Sequence, residues 1–388
     1  MRFRRTIGMI SVMLVVVSAC GSSKSNGAKA PTKLGKGEGA VSILAWPGYA
    51  ESGKNDKTVD WVHPFEKQTG CKATVKEFGT SDDAVQLMRT GAWDVVSASG
   101  DATLRLIATN DVAPVNTALV PNYADIAPWL KNKEWNSVGG KMYGIPHGWG
   151  ANLLMYNKNV VKPAPTSWGA VFDASSPYKG KITAYDDPIY IADAALYLMK
   201  TNTALGIKDP YALDQKQFAA AVALLKKQKT VVGEYWSDFA KEQSAFTSGS
   251  LVLGTTWQVI TNLIQADKKS PPVAAILPSE GSTAWSDTWM VSSKTKHQNC
   301  AYEWLNWIAS AKVQAEVAQW FGEAPANLKA CALTTDKNFC AGYGAQDATF
   351  YNQLHYWTTP QAKCVDGRTD VQCTTYADWS RAWDEIKG

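Results

Sequence analysis

Short apolar segments alternate with amphipathic ones between residues 40 and 98, and this rhythm restricts the folds that the chain can adopt. The predicted strands are 40–45, 71–78 and 94–98, and the predicted helices are 59–69 and 84–89. Strand, helix, strand, helix, strand is typical of a parallel sheet covered by helices. In open sheets of this kind, ligands bind beyond the carboxyl ends of the strands. We therefore expect Trp46, Tyr49, Ser99 and Asp101, which follow the first and third strands, to lie near a ligand.

A second alternation begins after residue 150. Its predicted strands are 152–156, 181–185, 251–256 and 273–277, and its predicted helices are 189–200, 214–228, 238–248 and, as one helix or a pair, 300–321. The stretch from Tyr143 to Tyr156 joins the two halves, and its glycines and proline interrupt regular structure before an apolar strand begins. Such a stretch suits a chain that crosses between two lobes, although composition alone favours an ordinary loop and strand within one domain.

The length of the chain also predicts two lobes. At 388 residues it exceeds the roughly 250–300 residues at which a single hydrophobic core stops growing. The small net charge of +4 comes from scattered Lys and Arg residues, so nucleic acid is not an expected partner. The predicted parts are a signal peptide (1–19), a lipidated cysteine with a flexible tether (20–39), a first lobe (40–149 with 280–330), a second lobe (150–279) and a disulfide-rich C-terminal tail (331–388).

The first twenty residues are typical of an export signal. Three arginines among the first five residues precede an apolar run, 7–17, which is short for a membrane-spanning helix. The sequence Val-Ser-Ala-Cys-Gly that follows resembles the bacterial lipobox, in which the cysteine, here Cys20, carries the lipid. Residues 21–39 are rich in Gly, Ser, Lys and Ala, as flexible tethers are. We expect a lipid-anchored soluble body outside the cytoplasmic membrane, and release after signal cleavage is the alternative.

Cysteine counting agrees with an oxidising compartment. Without Cys20, six of the seven cysteines remain, which is compatible with three disulfides. Proximity in the sequence predicts the pairs Cys331–Cys340 and Cys364–Cys373, which leaves Cys71 for Cys300, although six cysteines allow fifteen connectivities. The cysteines do not form Cys-x-x-Cys pairs and do not cluster with the four histidines, so no metal site is expected.

Seven motifs occur in one order over residues 40–330. They are Ile43–Tyr49, Thr69–Lys72, Gly91–Val96, Tyr143–Gly150, Tyr178–Ile182 with Asp186 and Asp187, Gly254–Trp257, and Pro278–Gly281 with Trp285–Asp287. This order resembles the spermidine/putrescine-binding proteins of bacterial ABC importers. The resemblance implies an α/β, type II periplasmic-binding-protein fold, with two lobes that are joined by crossing strands and close on a ligand. It also implies a monomer that delivers its ligand to an ABC permease, without catalysis and without a cofactor.

The resemblance also assigns aromatic ligand contacts. Trp46 and Tyr49 correspond to the family's aromatic pair in the first lobe. Trp257 and Trp285 correspond to two tryptophans that enclose the methylene chain of the ligand. In the tail, Gln353 and Trp357 are further candidates, although alignment is least certain there.

Three acidic candidates follow from the same resemblance. Asp287 corresponds to the family's central carboxylate, and Asp187 corresponds to a carboxylate that holds an amine. Asp101 stands where the family usually has an aromatic or hydroxyl residue. Tyr190 replaces the family's second acidic residue in the second lobe. For Asp187 the alternative role is capping of the helix that follows, because Asp is a favoured N-cap residue.

These residue types suit a polyamine, because flat indole faces pack on methylenes and carboxylates bind ammonium groups. The replacement of an acid by Tyr190 leaves open a monocation, a quaternary amine such as choline, or an amino-acid derivative. A second open alternative is a secreted glycoside hydrolase, since aromatic clefts with paired acids also suit that chemistry. The short motifs of Ser hydrolases, zinc proteases and phosphate loops are absent from the sequence. We therefore expect a binding protein and not an enzyme.

Overall fold

The computed structural model describes residues 29–388. The predicted signal peptide and Cys20 lie outside these residues. Numbered along the described chain, the strands are β1 Ala40–Ala45, β2 Lys72–Glu77, β3 Val95–Ala98, β4 Val112–Ala113, β5 Ser137–Val138, β6 Lys141–Met142, β7 Ile145–Ala151, β8 Leu153–Asn157, β9 Ile182–Tyr185, β10 Val232–Trp236, β11 Leu253–Thr256, β12 Val273–Ile276, β13 Thr283–Ser292, β14 Ala324–Pro325 and β15 His355–Tyr356.

The helices of the described chain pack around these strands. They are α1 Val62–Thr69, α2 Ser81–Arg89, α3 Gly100–Ala108, α4 Gly169–Phe172, α5 Ile191–Thr201, α6 Gln215–Gln228, α7 Phe239–Ser248, α8 Gln258–Ala266, α9 Gln298–Ile308, α10 Ala311–Phe321, α11 Phe339–Gly342, α12 Ala348–Asn352 and α13 Tyr376–Lys387. Most predicted elements are found within a few residues of these bounds. Helix α3 was not predicted, and the segment predicted at 300–321 is a pair of helices, α9 and α10.

Two separate sheets organise the two lobes. In the first sheet the order is β14-β7-β13-β3-β1-β2, with β4 and β15 also paired to β13. Strands β1, β2 and β3 are parallel, whereas β13 runs antiparallel to β3 and β7. In the second sheet the order is β10-β9-β11-β8-β12, with β9, β10 and β11 parallel to one another. Each sheet has its own hydrophobic core, and we call the two units the first and second lobes.

The chain crosses between the sheets where the sequence predicted it. Strand β7 belongs to the first sheet and β8 to the second, and only Asn152 separates them. The return crossing lies between β12 and β13. A turn-rich segment can change direction at this point because the strands on either side are anchored in different sheets. The predicted crossing strands are confirmed.

The C-terminal tail is part of both lobes. Cys340, Tyr351 and Tyr356 are buried in the first core, whereas Trp379 and Trp383 of α13 are buried in the second. This differs from the predicted organisation, in which residues 331–388 formed a separate region of loops and disulfides closed by a short helix at 376–386; that helix is found as α13. The aromatic residues of the tail have no local pattern that shows which lobe they pack against, so their place is decided by tertiary contacts.

The segment predicted as the end of a flexible tether is attached to the first lobe. The carbonyl oxygen of Pro31 accepts a hydrogen bond from Asn116, and the amide of Gly35 donates to Asn299. The Glu38 carboxylate accepts from the backbone amides of Asn299 and Cys300 at 2.9 Å each. Composition predicted flexibility here, but these specific hydrogen bonds hold residues 31–38 against the body. Among residues 29–388, no helix is both long enough and apolar enough to cross a bilayer.

All three predicted disulfide pairings are confirmed. Cys71–Cys300, Cys331–Cys340 and Cys364–Cys373 are bonded in the structure. The first joins residues that are 229 positions apart, and the third joins residues that are 9 apart. Because a cross-link stabilises mainly by restricting the unfolded chain, the long-range pair constrains the unfolded chain most.

We expect the replacement of both Cys71 and Cys300 by alanine to lower the free energy of unfolding more than the same change at Cys364 and Cys373. Loop-closure entropy predicts losses of roughly 5 and roughly 3 kcal/mol, respectively. Urea denaturation of the two double variants, followed by circular dichroism, measures both losses. Equal losses would show that loop length does not govern the stabilisation.

Candidate functional site

A cavity of about 540 Å³ lies between the two lobes. Aromatic side chains from both lobes and from the tail form much of its wall: Trp46, Phe78, Phe239, Trp257, Trp285, Trp320, Phe321 and Trp357. The acidic side chains that line it are Glu51, Glu77, Asp238 and Asp287. Within residues 29–388, no lysine, arginine or histidine lines this cavity. Its wall therefore combines flat apolar surfaces with negative charge.

The carboxyl ends of parallel strands place several of these side chains. Trp46 follows β1, Phe78 follows β2, and Ser99 follows β3 in the first lobe. In the second lobe, Trp257 follows β11 in the same way. Because parallel strands present their carboxyl ends at one edge of a sheet, residues far apart in sequence meet there. The two lobes turn these edges toward a common cavity.

The aromatic wall is continuous from one lobe to the other. The ring of Trp46 lies 6.3 Å from that of Trp257, edge to face. Trp257 lies 5.5 Å from Tyr185, and Tyr185 stacks on Trp357 at 5.7 Å with an angle of 18° between the rings. Trp285 meets Phe321 edge to face at 5.7 Å. Such contacts hold the rings in fixed orientations relative to one another in this arrangement of the lobes.

Asp287 is a buried carboxylate on this cavity. Ser99 donates a hydrogen bond to its Oδ1 at 2.5 Å, and the Tyr49 hydroxyl donates to its Oδ2 at 2.7 Å. Burial raises the pKa of Asp287 to about 7, although these two hydrogen bonds oppose the rise. Near neutral pH the group therefore lies close to its titration point. A cation beside it would stabilise the charged form.

The hydroxyl of Tyr49 lies between two carboxyl groups. It is 2.7 Å from Asp287 Oδ2 and 2.8 Å from Glu323 Oε2. A phenol has one proton to donate, so the second short contact requires a proton on one of the carboxyl groups. Burial raises the pKa of Glu323 well above its usual range. We therefore assign the proton to Glu323, which donates to Tyr49, while Tyr49 donates to Asp287.

A buried histidine, His147, lies beside the hydrogen-bonded group of Glu323, Tyr49 and Asp287 and carries no charge at neutral pH. The Nε2 atom of His147 lies 3.5 Å from Glu323 Oε1. Burial lowers the pKa of His147 to about 3, so the imidazole is neutral and does not form an ion pair with the acid. The negative charge of Asp287 therefore has no cationic partner nearby on this side of the site.

Two further acids, Asp101 and Asp187, lie behind the aromatic wall. Ser81 donates to Asp101 Oδ1 at 3.0 Å, and the amide of Ile189 donates to Asp187 Oδ1 at 2.9 Å. The Oδ2 atom of Asp101 is buried and accepts no hydrogen bond from the described residues. Asp187 thus caps the short helical turn that follows it, which is the alternative role that the sequence predicted.

Burial perturbs both of these acids. It raises the pKa of Asp101 to about 6 despite the opposing charge of Arg105. Burial, and then the negative charge of Asp101, raise the pKa of Asp187 well above its usual range. Two carboxylates that repel each other away from water favour the neutral form unless a cation joins them.

Tyr185 connects the acidic residues with the aromatic wall. Its hydroxyl is buried and forms no hydrogen bond with any described residue. Burial raises the pKa of Tyr185 well above its usual value, and the charges of Asp187, Asp101 and Asp287 raise it further. The Tyr185 hydroxyl is therefore influenced by acidic residues from both lobes.

Most of the predicted site residues either line the cavity or are buried behind its wall. Those that line the cavity are Trp46, Trp257, Trp285 and Asp287. Those that are buried behind its wall are Tyr49, Asp101 and Asp187. Of the two tail candidates, Trp357 lines the cavity, whereas Gln353 is exposed elsewhere.

Tyr190 does not face the cavity, which corrects the expectation based on its sequence position. It is buried in the core of the second lobe, where Gln228 donates to its hydroxyl at 2.8 Å. Its ring lies edge to face against Trp383 of the tail helix at 6.0 Å. In the turn after β9, Asp187 is buried behind the cavity wall and caps the turn, whereas Tyr190 packs in the core of the second lobe, so the residue that replaces the family's acid has a packing role.

Sequence reasoning missed several residues of this site. Tyr185 and Phe78 carry the same signal as Trp46, since each lies at the carboxyl end of a parallel strand. Trp320 lines the cavity although its helical spacing predicted a core residue. Glu323 has no local signal, because only the fold brings it within reach of Tyr49.

The tail reaches the site through a close backbone contact. A Cβ atom on Gly100 would lie 1.8 Å from the carbonyl oxygen of Trp357, so only glycine fits at the start of α3. Tyr376 of α13 donates to Asp82 at 3.0 Å and lies 3.4 Å from Asp187 Oδ1. The tail thus contacts acidic residues of both lobes beside the site.

Comparison with known proteins agrees with this architecture. The chain is 25% identical over 294 residues to the spermidine/putrescine-binding periplasmic protein of Escherichia coli K12, which covers 75% of this chain and 78% of that protein. It is 23% identical over 287 residues to the putrescine/cadaverine-binding protein of Pseudomonas aeruginosa, which covers 70% and 77% of the two chains.

A solved structure shows the same fold. A putative spermidine/putrescine ABC transporter protein from Listeria monocytogenes superposes with a TM-score of 0.71 at 18% identity, over 90% of this chain and 99% of that one. The fold is therefore the predicted two-lobed, type II periplasmic-binding-protein fold. Residues 60–339 match the family described as bacterial extracellular solute-binding protein. This match spans most of the described chain, and the protein belongs to that family of bacterial extracellular solute-binding proteins.

Proposed function

We propose that this protein captures a small organic amine of the polyamine class between its lobes and delivers it to an ABC permease. The observation that carries the proposal is the buried carboxylate of Asp287 on an aromatic cavity whose lining holds no cationic side chain among the described residues. The names of the relatives from Escherichia coli and Pseudomonas aeruginosa support the same ligand class.

A cation would favour the ionised form of Asp287. Burial raises the pKa of Asp287 to about 7 in the protein alone, whereas Asp101, with a pKa of about 6, already has the opposing charge of Arg105. An ammonium group beside Asp287 favours the charged form and forms charge-assisted hydrogen bonds. Ligand binding thus supplies the partner that Asp287 lacks among the described residues. A carboxylate or phosphate ligand would instead add repulsion.

The aromatic wall suits the carbon skeleton of such a ligand. Indole faces pack on methylene groups and attract a nearby cation by about 0.5–2 kcal/mol, depending on desolvation. Trp46 and Trp257 come from different lobes and their rings lie 6.3 Å apart, so the alkyl chain of a ligand beside them contacts both lobes at once. Binding therefore favours the closed arrangement of the two lobes.

The proposal includes binding without turnover. Hydrogen bonds from Ser99 and Tyr49 hold Asp287 in place, and one from Ser81 holds Asp101. A glycoside hydrolase remains a competing hypothesis, and it requires that a sugar substrate is consumed. Isothermal titration with a panel of amines and sugars separates the two hypotheses.

We expect isothermal titration to show stoichiometric binding of putrescine or spermidine and no heat of turnover with a panel of oligosaccharides. Replacement of Asp287 by Asn should weaken amine binding by roughly 30- to 150-fold, because a charged hydrogen bond contributes about 2–3 kcal/mol. Trp285→Ala in the same chain should weaken binding further.

Tyr190→Phe is the matched control for this titration. It removes a hydroxyl from the second core and leaves the cavity wall intact, so amine affinity should stay unchanged. Binding of choline or an amino-acid derivative in place of the diamines would change the ligand class within the amines. Consumption of a sugar, or amine affinity that Asp287→Asn does not alter, would refute the proposal.

Amine affinity should rise with pH and level off above pH 7. Asp287 has a pKa of about 7 without ligand, and an adjacent ammonium lowers that pKa, so binding below pH 7 releases a proton. Affinity should fall by up to about tenfold for each pH unit below 7 per titrating carboxyl, and Asp101 adds to the slope below pH 6. Titrations at pH 5.5–8.5 in buffers of different ionisation enthalpy measure the released protons. Proton uptake on binding would contradict this assignment.

We further propose that a lipid on Cys20 holds the protein, as a monomer, at the outer face of the cytoplasmic membrane. The support is the sequence around Cys20, which lies outside the described residues. Cys20→Ala should move the protein from the detergent fraction to the aqueous fraction in Triton X-114 partition of cells that express it. Wild-type protein in the aqueous fraction would refute the anchor.

A further inference from the structure

The two crossings between the lobes are bonded to each other through Asn152 and Thr283. Asn152 is the residue between β7 and β8, and Thr283 is the first residue of β13. The amide of Asn152 donates to the Thr283 carbonyl oxygen at 2.9 Å, and its side-chain Nδ2 donates to Thr283 Oγ1 at 2.7 Å. The hydroxyl of Ser282 donates to the carbonyl oxygen of Asn152. These hydrogen bonds tie the two crossings together at the boundary between the lobes.

The pair extends to the ligand site on one side and to a buried acid on the other. The indole Nε1 of Trp257 donates to Asn152 Oδ1 at 3.1 Å. Thr283 Oγ1 donates to Asp193 Oδ1 at 2.8 Å. Asn152, Thr283 and Asp193 are all buried. The hydrogen bonds therefore form one chain from Trp257 through the crossings to α5.

Each donor in this chain has one possible direction. An indole nitrogen only donates, so the Asn152 side chain must turn its oxygen toward Trp257 and its Nδ2 toward Thr283. Thr283 Oγ1 then accepts from Asn152, and its single proton goes to Asp193. A flipped amide would place two donors against each other at Trp257. A rotated Thr283 would leave the Nδ2 of Asn152 without its acceptor in a buried place.

Trp257 also contacts the opposite lobe. Its ring lies 6.3 Å from Trp46 of the first lobe and 4.9 Å from Trp236 of the second. When the lobes separate, the contact with Trp46 is lost. The hydrogen bond to Asn152 then remains the polar contact that orients the indole, and its acceptor sits on the crossing strand itself.

We propose that Asn152 and Thr283 are positioning residues that set the orientation of Trp257 from the interlobe crossings, and so link ligand stacking to lobe closure. The link to ligand stacking rests on the proposed function. Neither residue lines the cavity, and each acts through Trp257. If Asn152 moved away from Trp257 as the lobes rotate, the indole N–H would lose its acceptor. A buried donor without an acceptor is destabilising.

The test uses three variants of β13. Thr283→Val removes the hydroxyl and breaks the chain, Thr283→Ser restores the hydroxyl, and Thr288→Val is the matched control. Thr288 lies on the same strand, is fully buried, and its hydroxyl has no hydrogen-bond partner among the described residues. The first readout is the indole N–H resonance of Trp257 in ligand-free protein labelled with ¹⁵N-tryptophan, assigned by comparison with Trp257→Phe.

We expect Thr283→Val to shift the Trp257 indole resonance and to weaken putrescine binding by about tenfold, the loss of one buried hydrogen bond. Thr283→Ser should recover the resonance and most of the affinity, and Thr288→Val should change neither. If Thr283→Val does not fold, Asn152→Asp serves in its place, because it keeps the acceptor for the indole but sets a second acceptor against Thr283. Its carboxylate should move the indole resonance downfield and weaken putrescine binding.

The outcomes separate this inference from the proposed function. An unchanged Trp257 resonance in both Thr283→Val and Asn152→Asp overturns the positioning role. A shifted resonance with unchanged putrescine affinity overturns the link to ligand binding. Wild-type protein that binds no amine refutes the proposed function, while the ligand-free resonance still decides whether Asn152 and Thr283 position Trp257.

Discussion

The candidate site depends on a carboxyl group, that of Asp287, which is buried without a positive partner among the described residues. Asp287 is held by the hydroxyls of Ser99 and Tyr49, and Tyr49 in turn accepts a hydrogen bond from the neutral acid of Glu323. Burial of charge without compensation is costly, so such an arrangement persists only where it serves a purpose. The hydroxyls keep the negative charge in place and leave its strongest interaction to an incoming cation. The aromatic wall and this carboxylate face the same cavity.

The two lobes make this arrangement possible. Each has a sheet whose parallel strands end at the cavity, and the strand β13 carries Trp285 and Asp287 along the boundary between them. The tail then joins both cores and adds Trp357 to the wall. Because wall and acids come from both lobes, a ligand that contacts them all stabilises the closed state. Hydrogen bonds at Asn152 connect this wall to the crossing between the lobes.

Much of the fold could be predicted from local pattern. The alternation of strands and helices predicted both sheets, and the carboxyl-end rule predicted that Trp46 and Ser99 lie at the cavity. The same rule applied to Tyr185 would have found it. It could not find Glu323, which follows a helix and meets Tyr49 only in the folded protein, nor could it exclude Tyr190, whose direction depends on packing against Trp383.

By itself the sequence determined the two-lobed plan and the resemblance to the family, because these depend on length, periodicity and ordered motifs. The crossing and the disulfide pairs were predictions among open alternatives, and the structure decided them. Tertiary structure alone decided which acids share one region and what state of protonation burial gives them. It also decided that the tail belongs to both cores. The physical reason is that charge interactions depend on distance and desolvation, and neither can be read from the separation of Asp101, Asp187 and Asp287 along the chain.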